Sequence, residues 1–208
     1  MSGLVIYNTS PSLTDSLWIL SGADATQCLR GINRFLRRKN PWGWRIFRTL
    51  KLGTNIKDVP SYCKAADDSR VGIGSFAADL LTSPEFKLTV GEVEIDLVVM
   101  SVADLGFDDG ARYDKICEAA KNLGIEKCPP DVGPRLRLQY ADQPLGDQLV
   151  ICMDPIKHSD GELGIFYLYR NDSGHWLGSC CGEPDISWPG HSQWVFALGC
   201  RQSPHCSL

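Results

Sequence analysis

From Leu136 to Leu198 the chain is a succession of strand-length apolar runs separated by turn residues, and no other feature limits its fold as much. The runs cover residues 136–140, 148–154, 163–170, 175–178 and 193–198. Asp160-Gly161 and Asn171-Asp172-Ser173-Gly174 supply the residues that tight turns need between them. Connections this short join strands running in opposite directions, so the segment predicts an antiparallel sheet. Residues 94–102 are rich in Val, Ile and Leu and read as one further, largely buried strand. A shorter extended stretch covers 45–52 and is ended by Gly53.

Helical periodicity appears mainly ahead of this region. The spacing predicts a helix over 59–66, with Pro60 tolerated in its opening turn, and another over 75–81, where Phe76, Leu80 and Leu81 share a face and Pro84 closes the segment. Tyr113, Ile116, Cys117, Ala120 and Leu123 recur at helical intervals over 111–123, with Gly124 as the stop and Asp108 and Asp109 as expected caps. The fold class expected is therefore α+β, with short helices in the N-terminal half and an antiparallel sheet of about five or six strands in the C-terminal half. Residues 44–198 are expected to form a single domain, preceded by an arm over 1–43 and followed by a tail over 199–208.

That arm carries an uneven charge. Residues 1–52 hold eight basic side chains against two acidic ones, although the whole chain has a formal net charge of −4. Ala25, Cys28, Leu29, Ile32, Phe35 and Leu36 form the apolar stripe of an amphipathic helix, and Arg30, Arg34, Arg37 and Arg38 fall on its opposite side. With Arg45 and Arg48 they form a candidate contact surface for nucleic acid or another anion, through which phosphates would be neutralised.

Other chemistry is thinly marked. A composition with 43% hydrophobic residues belongs to a globular protein, and the longest apolar run, 97–102, has strand length, so no transmembrane segment is expected and the chain reads as cytoplasmic. The nine cysteines are odd in number and irregularly spaced, which argues against a disulfide framework; Cys28, Cys117 and Cys152 fall in phase with apolar neighbours and read as core residues. His175, Cys180, Cys181, His191, Cys200, His205 and Cys206 are types that bind zinc, yet they lack paired-knuckle spacing, so neither a metal nor a cofactor is assigned. There is no nucleophile elbow, phosphate-binding loop or dinucleotide fingerprint. His158 reads as a solvated turn residue, its general-base alternative lacking an identifiable partner, and the neighbouring carboxylates Asp104 with Asp108 and Asp109, or Asp142 with Asp147, could in principle position a metal or act as acid and base. Trp188, with Asp185 nearby in Asp185-Ile-Ser-Trp-Pro-Gly190, is placed in a loop where an exposed ring would serve recognition.

Three stretches carry a resemblance: Ser101-Val-Ala-Asp-Leu-Gly-Phe107, residues 128–140 beginning Cys128-Pro-Pro-Asp131, and Asp142-Gln-Pro-Leu-Gly146. Together with Leu50-Lys-Leu-Gly-Thr54, Met153-Asp-Pro-Ile156 and Trp194-Val-Phe196 they resemble a family of bacterial hypothetical proteins from metagenomic genomes, over about residues 44–198. The resemblance implies a helical front half and a strand-rich back half, and it carries no activity or site residue. The sequence favours a non-enzymatic binding module that contacts a protein partner through the Trp188 loop. Its alternatives are a nucleic-acid-associated protein using the arm, and a hydrolase that bears no recognisable motif.

Overall fold

The computed structural model of the protein describes residues 44–54 and 56–202, the last four of them by backbone alone. The amphipathic helix expected within the arm over 1–43, with Arg30, Arg34, Arg37 and Arg38, lies outside these residues. From Arg45 onward the described residues belong to one compact unit. Its elements run β1 (Arg48–Leu52), α1 (Val59–Asp68), β2 (Val71–Ile73), α2 (Ser75–Thr82), β3 (Val93–Ser101), β4 (Ala111–Arg112), α3 (Tyr113–Asn122), α4 (Val132–Gln139), β5 (Gln148–Ile151), β6 (Ile156–Lys157), β7 (Leu163–Asn171), β8 (Gly174–Cys181), β9 (Ser187–Trp188) and β10 (Gln193–Gln202).

The class is α+β, but the sheet is larger than expected and mixed. Eight strands join in the order β1-β3-β10-β5-β7-β8-β2, with β6 paired to β7 beside this path. Most pairs are antiparallel, whereas β10 lies parallel to β5 and β2 parallel to β8. Parallel partners must be distant in the chain, so the turn residues that revealed the hairpins carried no sign of them. β4 and β9 form a separate two-stranded pair.

Both faces of the sheet are covered. Leu50, Ile95, Leu97, Val195, Ile151, Leu168 and Phe166 share one face by register and are buried. Against this face lies α4, so close that a β-carbon on Gly133 would stand 2.9 Å from Cβ of Phe166. On the other face Tyr113 of α3 stacks on Trp194 at 5.3 Å between ring centroids. Burial on both sides explains why β3 reads as a continuous apolar run instead of an alternating one.

Three expectations about the helices are corrected here. Helices are not confined to the N-terminal half, and of residues 136–140, read as a strand, 136–139 belong to α4 and Tyr140 is its C-cap. Leu136-Arg137-Leu138 alternates as a strand would, but both arginines of this helix are buried rather than solvated. Arg135 Nε donates to Asp131 Oδ2 at 3.2 Å, its Nη2 donates to the Ile56 carbonyl at 2.8 Å, and Arg137 donates to the Gln143 side chain and the Tyr140 carbonyl. Pro134 causes no break because it sits in the first turn, where the N–H groups have no intrahelical acceptor. Asp108 and Asp109 do not cap α3, which opens at Tyr113 after Arg112 without a side-chain cap.

Candidate functional site

Three elements converge at one end of the sheet. β2 ends at Ile73, Gly74 donates its N–H to the Leu177 carbonyl at 2.9 Å, and the chain turns directly into α2. This parallel pairing with β8 sets α2, and Asp79 on it, beside the second half of β8. From the opposite side comes the β6–β7 hairpin. His158 opens its turn, held by His158 N–H to Glu162 O at 2.8 Å and Gly161 N–H to His158 O at 3.0 Å.

The three side chains form a hydrogen-bonded series. His158 Nδ1 is 3.1 Å from Asp79 Oδ2, and His158 Nε2 is 3.2 Å from Ser179 Oγ on β8. Asp79 Oδ2 also accepts the Ser159 N–H at 2.8 Å. This backbone donor, with the His158 ring behind it, holds the Asp79 carboxyl below the usual carboxylate value. An ionised carboxylate only accepts, so Nδ1 carries the ring proton of a neutral His158 and Nε2 presents a lone pair. Ser179 therefore donates its hydroxyl proton to Nε2.

Burial makes this arrangement more than a surface contact. The His158 side chain is 8% exposed and that of Asp79 30%. The Phe76 ring, one turn before Asp79 on α2, meets His158 edge to face at 5.7 Å while remaining 61% exposed itself. Beneath, Gly164 of β7 leaves the space in which the ring and the hydroxyl meet. A cleft of about 360 Å³ lies on the Asp79 side of the imidazole, lined also by Thr82, Ser83, Glu85 and Lys157. Ser179, half-buried, stands across the ring from that cleft. Strand alternation sends the Gly182 N–H to β7 and the Leu177 carbonyl to Gly74, so the Ser179 N–H points away from β7, to the side where β2 has ended.

His158 is thus corrected from a solvated turn residue without partners to a mostly buried imidazole with two. Asp79 and Ser179 were not singled out by sequence reading, because Ser179 sits within a strand instead of a strand-to-helix elbow. One signal was available: a glycine between Leu163 and Ile165, inside a strand, marks a close approach by another group.

The expected contact residues are not gathered at this site. Arg45 is exposed, but Arg48 is engaged: its guanidinium pairs with Asp142 and lies 4.9 Å from the Tyr140 ring centroid and 5.5 Å from that of Phe47. Asp185 is exposed, whereas Trp188 belongs to β9 and is half-buried, its ring edge-on to Trp194 at 4.9 Å. The expectation of an exposed Trp188 loop is corrected accordingly: pairing of β9 with β4 turns the indole toward the core. Asp104 exchanges hydrogen bonds with Ser101, and Asp147 accepts from Tyr140 and Gln143. Among the described residues no group of three or more His, Cys, Asp or Glu side chains is placed to hold a metal ion, and no helix is long and apolar enough to cross a membrane.

Comparison with known proteins finds no family model, no curated protein and no solved structure that matches the chain.

Proposed function

We propose that the protein is a hydrolase in which Ser179 is the nucleophile, His158 the general base and Asp79 the residue that orients it. The observation that carries this reading is the Asp79–His158–Ser179 series, with both imidazole nitrogens engaged and the ring largely shielded from water. Of the functions considered, a hydrolase lacking a sequence motif is the one this geometry favours.

The chemistry follows from the proton positions. As Ser179 Oγ attacks the carbonyl carbon of an ester, its proton passes to His158 Nε2, and the imidazolium is stabilised by the Asp79 carboxylate at Nδ1. Negative charge then develops on the carbonyl oxygen. The Ser179 N–H, uncommitted to β7, is a donor that would meet an oxygen approaching from the α2 side. The same imidazolium protonates the departing alkoxide, after which water, deprotonated by Nε2, releases the acyl group.

A fluorophosphonate probe and a panel of short-chain esters test the reading. Peptide mapping is expected to place the label on Ser179, and Ser179→Ala is expected to abolish it. His158→Ala should slow both labelling and ester turnover by about a hundredfold or more, the usual contribution of a positioned general base. A folded wild-type chain that leaves Ser179 unlabelled across the panel overturns the proposal, and the series then serves only to tie the β6–β7 turn to α2.

A further inference from the structure

Away from this site, two thiols face each other. Cys117 Sγ and Cys152 Sγ are 3.8 Å apart, and both residues are free cysteines. They come from elements 35 residues apart in the chain. Cys117 lies on α3 and is half-buried, next to Ile116, which packs inward. Cys152 directly follows β5 and is wholly buried. Its backbone is held on both sides, the N–H by the Val195 carbonyl at 3.0 Å and the carbonyl by the Cys128 N–H at 2.6 Å. The Tyr113 hydroxyl, donating to the Met153 carbonyl, fixes the start of α3 to the same segment.

The surroundings make the two sulfurs unequal. The hydrogen bond from Cys152 comes first in lowering the Cys117 thiol to about 7, and the Lys127 ammonium acts in the same direction against burial and Asp154. Lys127 itself is held by Asp154 at 2.9 Å. Cys152 is driven up by its contact with Cys117 and by burial. One sulfur is thus partly accessible and the more readily ionised, while the other is enclosed and holds its proton more tightly. Sequence reading assigned both to the passive core, because each falls in phase with apolar neighbours.

We propose that Cys117 and Cys152 form a dithiol that a hydroperoxide oxidises to a disulfide, with Cys117 as the modified sulfur and Cys152 as the resolving one. The Cys117 thiolate attacks one peroxide oxygen, the O–O bond breaks, and hydroxide or alkoxide leaves, so that the peroxide gains two electrons and Cys117 becomes a sulfenic acid. The Cys152 sulfur then attacks the Cys117 sulfur. The S–S bond forms, the S–O bond breaks, and the departing hydroxide takes the Cys152 proton as water. The sulfurs must close to a bond length of about 2.05 Å, and that movement falls to the Cys117 side because Cys152 is pinned at both its N–H and its carbonyl.

Hydrogen peroxide added to the reduced full-length chain, followed by peptide mapping without reductant, tests the proposal. The expected product is one cross-linked peptide pair carrying Cys117 and Cys152, two hydrogens lighter than the separate peptides. Cys117→Ser should eliminate this product, and Cys152→Ser should leave Cys117 as a sulfenic acid captured by dimedone. Because Cys152 lies in the core, the wild-type chain also provides a test that needs no variant. At pH about 7, iodoacetamide should alkylate Cys117 well ahead of the enclosed Cys152. Cys117 and Cys152 remaining reduced while other cysteines oxidise overturns the proposal, as does a cross-link joining Cys117 to a different cysteine.

Discussion

Gly164 passes directly beneath the His158 imidazole: a β-carbon there would stand 2.2 Å from Nε2 and 2.8 Å from Ser179 Oγ. The absent side chain is what lets the ring cross from the β6–β7 turn to β8. Asp79 fixes the opposite nitrogen, so the ring has no room to retreat without losing that contact. The hydrogen bond between His158 and Ser179 therefore depends on a residue that takes part in no proton transfer.

Gly164→Ala separates packing from chemistry. The added methyl displaces the imidazole from Ser179, at a stability cost of about 1–3 kcal/mol for overpacking a filled site. Fluorophosphonate labelling of Ser179 should fall by about tenfold or more, since the base no longer reaches the hydroxyl. Urea unfolding and the labelling rate, measured on the same preparation, check both parts. An unchanged labelling rate in the folded variant shows that the position of the ring does not govern the reactivity of Ser179.

Asp79 gives the site a pH signature. Its carboxyl is lowered below 3.8, chiefly by the Ser159 N–H and further by the His158 ring. A carboxyl with a lowered folded-state pKa contributes stability that is present above the unfolded value and is lost as pH falls through the folded one. Wild-type protein should accordingly hold a higher urea midpoint than Asp79→Asn at neutral pH and down to about pH 4, with the gap closing at lower pH. The asparagine still offers an oxygen to the Ser159 N–H and to Nδ1 but carries no charge to stabilise the imidazolium, so labelling of Ser179 should slow. Unfolding midpoints at a series of pH values give the first result and labelling at neutral pH the second. A gap that persists undiminished far below the ordinary carboxylate value contradicts this account.

The legible parts of the fold were those written locally. α1, α2 and α3 were marked by apolar spacing and by Pro60, Pro84 and Gly124, and the hairpin joining β7 to β8 by Asn171 to Gly174. α4 was misread because a charged residue between two leucines normally faces water, and Arg137 instead finds carbonyl and amide acceptors inside. β2, with three residues, is too short to display any period. The site was hidden for a different reason. His158 lies 79 residues from Asp79 and 21 from Ser179, and each is an ordinary polar residue within its own segment. What joins them is the parallel pairing of β2 with β8, a long-range relation that sequence periodicity does not record.

The buried pair under α4 offers the strongest stability prediction. Asp131 is 0% exposed and Arg135 3%, and every oxygen of the carboxylate is used: Oδ1 accepts the Thr89 hydroxyl at 2.9 Å, and Oδ2 accepts the Thr89 N–H at 3.0 Å and Arg135 Nε at 3.2 Å. Arg135 in turn reaches the Ile56 carbonyl, so this pair ties α4 to both the chain after β1 and the chain before β3. Removing one partner leaves an uncompensated charge in the interior, which costs about 3–5 kcal/mol, whereas replacing both with apolar groups of similar volume is close to neutral or stabilising. Asp131→Leu and Arg135→Met should therefore each lower stability by about 3–5 kcal/mol, and the two combined by much less than the single losses added together. Urea unfolding of the two single variants and the double variant closes the cycle. Additive losses would mean that the two charges act independently, with the Thr89 and Ile56 contacts holding each of them separately.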